Sequence, residues 1–267
     1  MNMELERIYK PIVKELCQVE VEIKNQVLSI GNGQKVIREA VNYFFHNKGK
    51  YLRPALVLLS AKSVNGNCNA VGKELILLSS AVEMIHNASL IHDDIIDGEK
   101  DRRGVLSLNN KFGSEVAMLI GDMLYTKAFL ILVNNIDKRV LEIIVDCVEK
   151  MCYGEVKEIT NPVYNLKEYL EIISCKTASF MSTCCQVGAI LGGGDEKAVK
   201  KMKDFGLNFG IAYQLRDDYL DNETPIDKRI VIEKMGEHIK LAGDNLTMIE
   251  NYEIKSSFNN LLKYLKV

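Results

Sequence analysis

Residues 71–97 read VGKELILLSSAVEMIHNASLIHDDIID. Apolar side chains recur at Leu75, Leu78, Val82 and Ile85, the three-and-four spacing of a helix, and apolar residues fill most positions between them. A helix that is apolar nearly all round belongs in the centre of a large bundle. This one ends in the most acidic cluster of the chain, Asp93, Asp94 and Asp97. Asp93 and Asp97 are four apart, so on a helix they share one face, with Cβ atoms about 6 Å apart. Two like charges so placed repel, and something must offset the repulsion. Divalent cations do so, especially where a phosphate supplies the remaining oxygens, as magnesium prefers.

The pattern recurs at Gln214-Leu215-Arg216-Asp217-Asp218-Tyr219-Leu220-Asp221, where Asp217 and Asp221 are again four apart, 217 − 93 = 124 residues further on. A single acidic motif of this kind is ordinarily a solvated helix end, since short motifs misfire often. Two copies, each following an apolar helix, point instead to two carboxylate faces turned on one cavity, holding Mg²⁺ around a polyphosphate.

The same helical spacing runs through the rest of the chain, and strand signals are nearly absent. Start and stop signals place helices over 3–28, 34–46, 52–64, 71–97, 113–134, 138–160, 167–174, 176–191, 196–223, 229–243 and 254–265. Breaks fall at Gly31-Asn32-Gly33, Asn65-Gly66-Asn67, Gly98 to Gly104 and Gly192-Gly193-Gly194, and Pro54, Pro162 and Pro225 sit at helix starts or in loops. No linker divides the chain, so one all-α domain over 1–267 is expected, a single large bundle around a central cavity.

Bulk composition narrows the function. With 47% hydrophobic and 26% charged residues the chain has the balance of a soluble globular protein. Its net charge of −2 and 34 scattered basic residues give no stripe for nucleic acid. The richest apolar stretch, Ala117 to Val133, is broken by Asp122 and Lys127, so no transmembrane segment is expected. The first residues hold Glu4, Glu6 and Arg7 rather than an apolar signal core, so a cytoplasmic location is expected. The seven cysteines form no CxxC pair and read as small buried hydrophobes in a reducing compartment. The apolar helix 113–133 has few polar positions for water, which suggests a homodimer contact.

Cations accompany the carboxylates. Lys50 and Arg53 lie just before a helix that Pro54 opens, where an anion would be welcome. Arg102 and Arg103 follow the first acidic cluster and could pair with it, or clamp phosphate oxygens. Lys176-Thr177 reads as a helix opening, where a lysine is electrostatically out of place unless an anion sits there. His86 is seven residues before Asp93 on the same helix face.

Taken in order, Gly49-Lys50-x-x-Arg53-Pro54, His86, Asp93-Asp94-x-x-Asp97, Arg102-Arg103-Gly104, Gly121-Asp122, Lys176-Thr177 and Gln214 with Asp217-Asp218-x-x-Asp221 resemble the trans-isoprenyl diphosphate synthases, the polyprenyl synthetase family, over residues 35–223. The resemblance implies an all-α, usually dimeric prenyltransferase of isoprenoid biosynthesis that joins isopentenyl diphosphate to an allylic diphosphate, with about three Mg²⁺ per site. Asp93, Asp97 and Asp217 would bind the metal, supported by Asp94, Asp218 and Asp221. Arg102, Lys176, Thr177 and Gln214 would hold the allylic substrate. Lys50, Arg53, His86 and Arg103 would hold the diphosphate of isopentenyl diphosphate. Fixed charges would stabilise the departing diphosphate, and a dry apolar pocket would protect the allylic cation.

The chain departs from that family after Asp221. The Gly-Lys-rich loop is not recognisable in Asn222-Glu223-Thr224-Pro225-Ile226-Asp227-Lys228-Arg229, and 267 − 221 = 46 residues follow, which reads as a shortened C-terminal region. Two alternatives stand beside the leading reading. One is a non-catalytic or weakly active partner subunit of a heteromeric synthase. The other is a terpene cyclase, although the (N/D)DxxSxxxE pattern fails at Asp221 and Pro225.

Product length follows from register. A chain growing from the metal site along the helix meets Ala88 and Ser89 first, both small, where family members that stop at fifteen carbons carry an aromatic. Met84 and Ile85 form the next layer, one turn or about 5–6 Å on, which suggests a product of about twenty carbons or somewhat more.

Overall fold

The computed structural model describes residues 3–30, 34–47, 49–64, 71–160, 165–222 and 224–267. The breaks expected at Gly31–Gly33 and Asn65–Asn67, and Pro162, lie outside the described residues. In chain order the elements are α1 (Met3–Tyr9), α2 (Val13–Leu28), α3 (Lys35–His46), α4 (Leu52–Val64), α5 (Lys73–Ile96), β1 (Asp101–Arg102), β2 (Val105–Leu106), α6 (Leu108–Phe112), α7 (Ser114–Asn135), α8 (Lys138–Thr160), α9 (Leu166–Ile173), α10 (Ser179–Leu191), α11 (Glu196–Asp221), α12 (Lys228–Asp244) and α13 (Tyr252–Tyr264). The chain is all-α, as expected. A short 3₁₀ turn joins α1 to α2, and a π-helical turn, Ser174–Ala178, joins α9 to α10.

The helices begin where the sequence offers caps. Asp195 accepts from the Ala198 N–H at 2.7 Å, Asn251 from Ile254 at 3.0 Å and Asn165 from Glu168 at 3.0 Å. At the other end of α11, Asn222 adopts the left-handed conformation, φ 60°, common at helix C-termini. The expected break at Gly98–Gly104 is an antiparallel hairpin, Asp101 opposite Leu106 and Arg102 opposite Val105. Its turn residues Arg103 and Gly104 both have positive φ, 53° and 78°, as a type I′ two-residue turn requires.

Two compact units divide these elements. The first holds α1, most of α4, and α8 to α13; the second holds α2, α3, α5, the hairpin, α6 and α7. In the second unit α5 packs along α7, and Leu78, Ala81, Val82, Ile85, Ala88 and Ile91 are fully buried. In the first, α11 packs against both α10 and α12 around Phe180, Phe205, Phe209 and Phe258.

Two expectations need correction. By length and composition alone α5 and α7 are both apolar enough to cross a bilayer, Asp122 and Lys127 notwithstanding. For α5 burial decides the matter: 72% of its apolar window is packed inside the protein, so it is a core helix. The cysteines are mixed, with Cys147, Cys184 and Cys185 buried but Cys17 and Cys152 exposed, since the latter two fall on outward helix faces.

Candidate active site

In the second unit α5 presents its acidic motif in the last turn. Asp94 is turned inward and fully buried. Its Oδ1 accepts from Arg102 Nε at 2.8 Å and also from Arg102 Nη2, and Asn109 Nδ2 donates to its backbone carbonyl at 3.2 Å. Burial raises the Asp94 pKa more than Arg102 lowers it, leaving it above the ordinary value. Asp93 is half-buried and Asp97 exposed.

The first unit repeats this arrangement on α11. Asp218 accepts from the Tyr169 hydroxyl at Oδ2 and from Gln214 Nε2 at Oδ1, 2.7 Å, while Gln214 Oε1 accepts from Thr177 Oγ1 at 2.9 Å. This chain of bonds ties α9, the π-helical turn and α11 together. Burial lifts the Asp218 carboxyl, partly offset by Tyr169 and Gln214. Asp217 is half-buried, 3.3 Å from Arg216 Nη1, and Asp221 is exposed at the helix end. In each motif, therefore, the second aspartate is tied to a side chain from another element, the last is exposed and the first is half-buried. Asp94 and Asp218, expected among the metal carboxylates, and Arg102, expected at the allylic substrate, are thus tied into side-chain hydrogen bonds within the protein.

The donor set fits magnesium. Each outward pair is two hard carboxylates one turn apart. Among the described residues no three carboxylate, imidazole or thiolate side chains converge on one point. Magnesium is usually held by one or two carboxylates with substrate phosphate and water completing its shell, so a pair on each helix suffices.

Lys176 is not at a helix start. It lies inside the π-helical turn, where α9 runs on into α10, and Nζ is 2.7 Å from Glu155 and 2.6 Å from Glu158 of α8. Burial lowers its pKa, but the two carboxylates outweigh burial and hold it above the ordinary lysine value. Gly154 makes this possible: a Cβ there would come within 2.8 Å of the Lys176 backbone nitrogen.

A second cationic cluster surrounds α5. Arg53 Nη1 donates to His86 Nε2 at 2.9 Å. A guanidinium can only donate, so Nε2 accepts and the imidazole proton sits on Nδ1. Burial, then Arg53 and Arg103, push the His86 pKa well below its ordinary value, so the ring is neutral and orients Arg53. Arg103 reaches from the hairpin, donating to the Asn47 carbonyl at 2.9 Å and to Asn87 Oδ1 at 3.2 Å. Tyr51 and Arg103 both have positive φ, a costly conformation for large side chains that is characteristic of functional sites. Lys50 is exposed beside them.

Sequence reasoning missed Tyr169, Glu155, Glu158, Glu83 and Asn87. Glu83 and Asn87 left a signal, because Glu83 is the only acidic or basic residue between Glu74 and Asp93 other than histidine. Of the residues expected to set product length, Met84, Ile85 and Ala88 are fully buried, while Ser89 is half-buried and bonds back to the His86 carbonyl at 2.9 Å. Lys228 donates to Asn222 at the end of α11, and Arg229 is solvent-exposed.

The profile of the polyprenyl synthetase family matches residues 34–258. The chain belongs to that family. Its sequence is 38% identical over 181 residues to a short chain isoprenyl diphosphate synthase of Methanothermobacter thermautotrophicus, covering 65% of this chain and 54% of that protein. It is 30% identical to heptaprenyl diphosphate synthase component 2 of Bacillus subtilis, covering 99% of this chain and 74% of the relative. The matched stretches span 54%, 64% and 40% of the length of three of the curated relatives. The fold matches a polyprenyl synthase from Caulobacter crescentus CB15, crystallised with calcium and isoprenyl diphosphate, with a TM-score of 0.88 at 22% identity over 98% of this chain and 97% of that one.

Proposed function

We propose that this family member is a magnesium-dependent trans-prenyltransferase that condenses isopentenyl diphosphate with an allylic diphosphate to a linear polyprenyl diphosphate. The observation that carries this reading is the repeated build of the two acidic motifs, in which Asp94 and Asp218 are tied inward and Asp93, Asp97, Asp217 and Asp221 are presented at helix ends.

Asp93 and Asp97 on one helix, and Asp217 and Asp221 on the other, would hold Mg²⁺. What the metal supplies when bound is neutralisation of charge on a departing diphosphate. Lys176, offered by Glu155 and Glu158, contacts the allylic diphosphate, with Thr177 and Gln214 beside it. Arg53, Arg103 and Lys50 bind the diphosphate of isopentenyl diphosphate, and His86 keeps Arg53 in place. The allylic C–O bond breaks with its electron pair leaving on the diphosphate, the double bond of isopentenyl diphosphate attacks the cation, and the released diphosphate takes the proton whose loss restores the double bond. Apolar walls keep water from the cation.

The product reaches about twenty carbons or somewhat more, with Ala88 and Ser89 open and Met84 and Ile85 closing the pocket. The enzyme is cytoplasmic and homodimeric; Met118, Leu119, Leu130 and Val133 of α7, each 48–62% exposed, give it an apolar face to pair. A second reading rests on the Bacillus relative, whose name marks it as one component of a synthase. In that reading the chain needs a different subunit for full activity.

The test is substitution of the outward aspartates. Asp93→Ala and Asp217→Ala should each lower turnover at least about 10³-fold, as expected for loss of a strong electrostatic stabiliser. Turnover near wild type in either variant, with magnesium present, would sink the assignment.

A further inference from the structure

Glu83 sits on α5 behind the cationic cluster, and the proposed reaction leaves it without a task. Its side chain is 3% exposed. Oε1 is 3.4 Å from Asn87 Nδ2, and Oε2 has no hydrogen-bond partner among the described residues. Buried carboxylate oxygens are rarely left so, because the desolvation cost is then uncompensated. The charges around it are mostly those assigned above to diphosphate. Arg53 comes from the start of α4 and Arg103 from the hairpin; both act on its charge, with Asn87 from the same helix. Tyr51 from the loop before α4 faces it as well, with Glu20 of α2 acting on Tyr51 in turn. His86 and Arg102 complete the charged groups nearby, and the imidazole is neutral.

The packing shows how close Glu83 is to the anion loop. A Cβ on Gly49 would lie 2.9 Å from Arg103 Nη2 and 3.4 Å from Glu83 Oε1. The backbone at Gly49 is therefore laid against both groups, with Arg103 and Glu83 side by side next to it. An anion held by Arg53 and Arg103 must share those cations with Glu83.

We infer that Glu83 is a proton-coupled positioning residue: it is the counter-charge that sets Arg53 and Arg103 in the empty site, and it takes up a proton when a diphosphate replaces it as their partner. This rests on the proposed reading of the cluster as a diphosphate site. The direction follows from elementary electrostatics. A carboxylate is kept ionised in a buried place only by nearby cations, and a second anion on those cations raises its pKa. The starting point is favourable, because burial, opposed by Arg53, Arg103 and Asn87, already puts the Glu83 carboxyl at about 7. The proton comes from solvent, and no covalent bond is made or broken.

Calorimetry of isopentenyl diphosphate binding tests this. The titration is run on the intact protein at pH 8 without divalent metal, in two buffers of different ionisation enthalpy. A diphosphate ester is already ionised at that pH, since its last pKa lies near 6. Wild type should take up close to one proton per site, and Glu83→Gln close to none. The wild-type dissociation constant should rise towards tenfold per pH unit above pH 7, whereas that of Glu83→Gln stays flat. Binding by wild type without proton uptake overturns the inference and leaves the diphosphate site intact. Uptake that survives in Glu83→Gln but is lost in His86→Gln overturns it too. No binding by wild type overturns the site itself. If Glu83→Gln does not fold, the wild-type uptake and pH dependence decide.

Discussion

The burial of Glu83 makes a prediction for stability that needs no substrate. Carrying this carboxyl from 4.5 to about 7 on folding makes its ionised form about 3 kcal/mol less stable in the native state than in the unfolded chain, at 1.36 kcal/mol per pH unit. The native pKa is raised, so the native state holds the extra proton between pH 4.5 and 7. Its contribution to stability is fully present below 4.5 and is lost as pH rises through about 7. Glu83→Gln is neutral throughout and keeps the shape. At pH 5 the wild type has already lost part of this contribution, because its unfolded chain is largely ionised there. The variant should gain about 2–3 kcal/mol on wild type between pH 5 and pH 8. Urea unfolding at the two pH values reads this as a midpoint difference that widens by roughly 1 M, for a slope of about 3 kcal/mol/M. Other titrating groups are common to both proteins and cancel. A difference that is the same at pH 5 and pH 8 would refute the reasoning, because Glu83 would then be ionised at both or at neither.

Other substitutions separate the remaining parts of the site. Tyr169→Phe removes one charge-assisted bond to the half-buried Asp218 while Gln214 keeps the other, so it should destabilise the protein by about 1–2 kcal/mol in chemical denaturation and raise the Mg²⁺ concentration needed for half-maximal turnover. Arg53→Ala should raise KM for isopentenyl diphosphate, and Lys176→Ala KM for the allylic partner, each by about tenfold or more; equal effects on both substrates would contradict the division. Ala88→Phe should shorten the product towards fifteen carbons on reverse-phase analysis after dephosphorylation, and an unchanged product would place the pocket floor elsewhere.

Most helices could be read from spacing and caps. Residues 52–64 and 138–160 coincide with α4 and α8, and the last turns of α5 and α11 carry the acidic motifs as expected. What escaped has identifiable physical causes. The hairpin has two residues in each strand, too few for an alternation to register, and its turn depends on Arg103 accepting a left-handed conformation. The helical pattern places a helix start at Lys176, whereas a π-helical turn carries the chain through without a break. The inward turn of Asp94 and Asp218 depends on partners 8 and 49 residues away, Arg102 and Tyr169, which spacing within a motif cannot reveal. The cationic cluster was legible residue by residue; the carboxylate behind it was visible as a lone charge on an apolar helix, but its placement beside Arg103 depends on the hairpin, which the sequence pattern does not show.

Incubation of the purified protein with labelled isopentenyl diphosphate, an allylic starter and Mg²⁺ tests the central claim most directly, with the dephosphorylated products resolved by length. The account predicts a linear trans-polyprenyl alcohol of about twenty carbons or somewhat more, formed only with the metal. A cyclic hydrocarbon, or no product from a folded protein that binds both substrates, would contradict it.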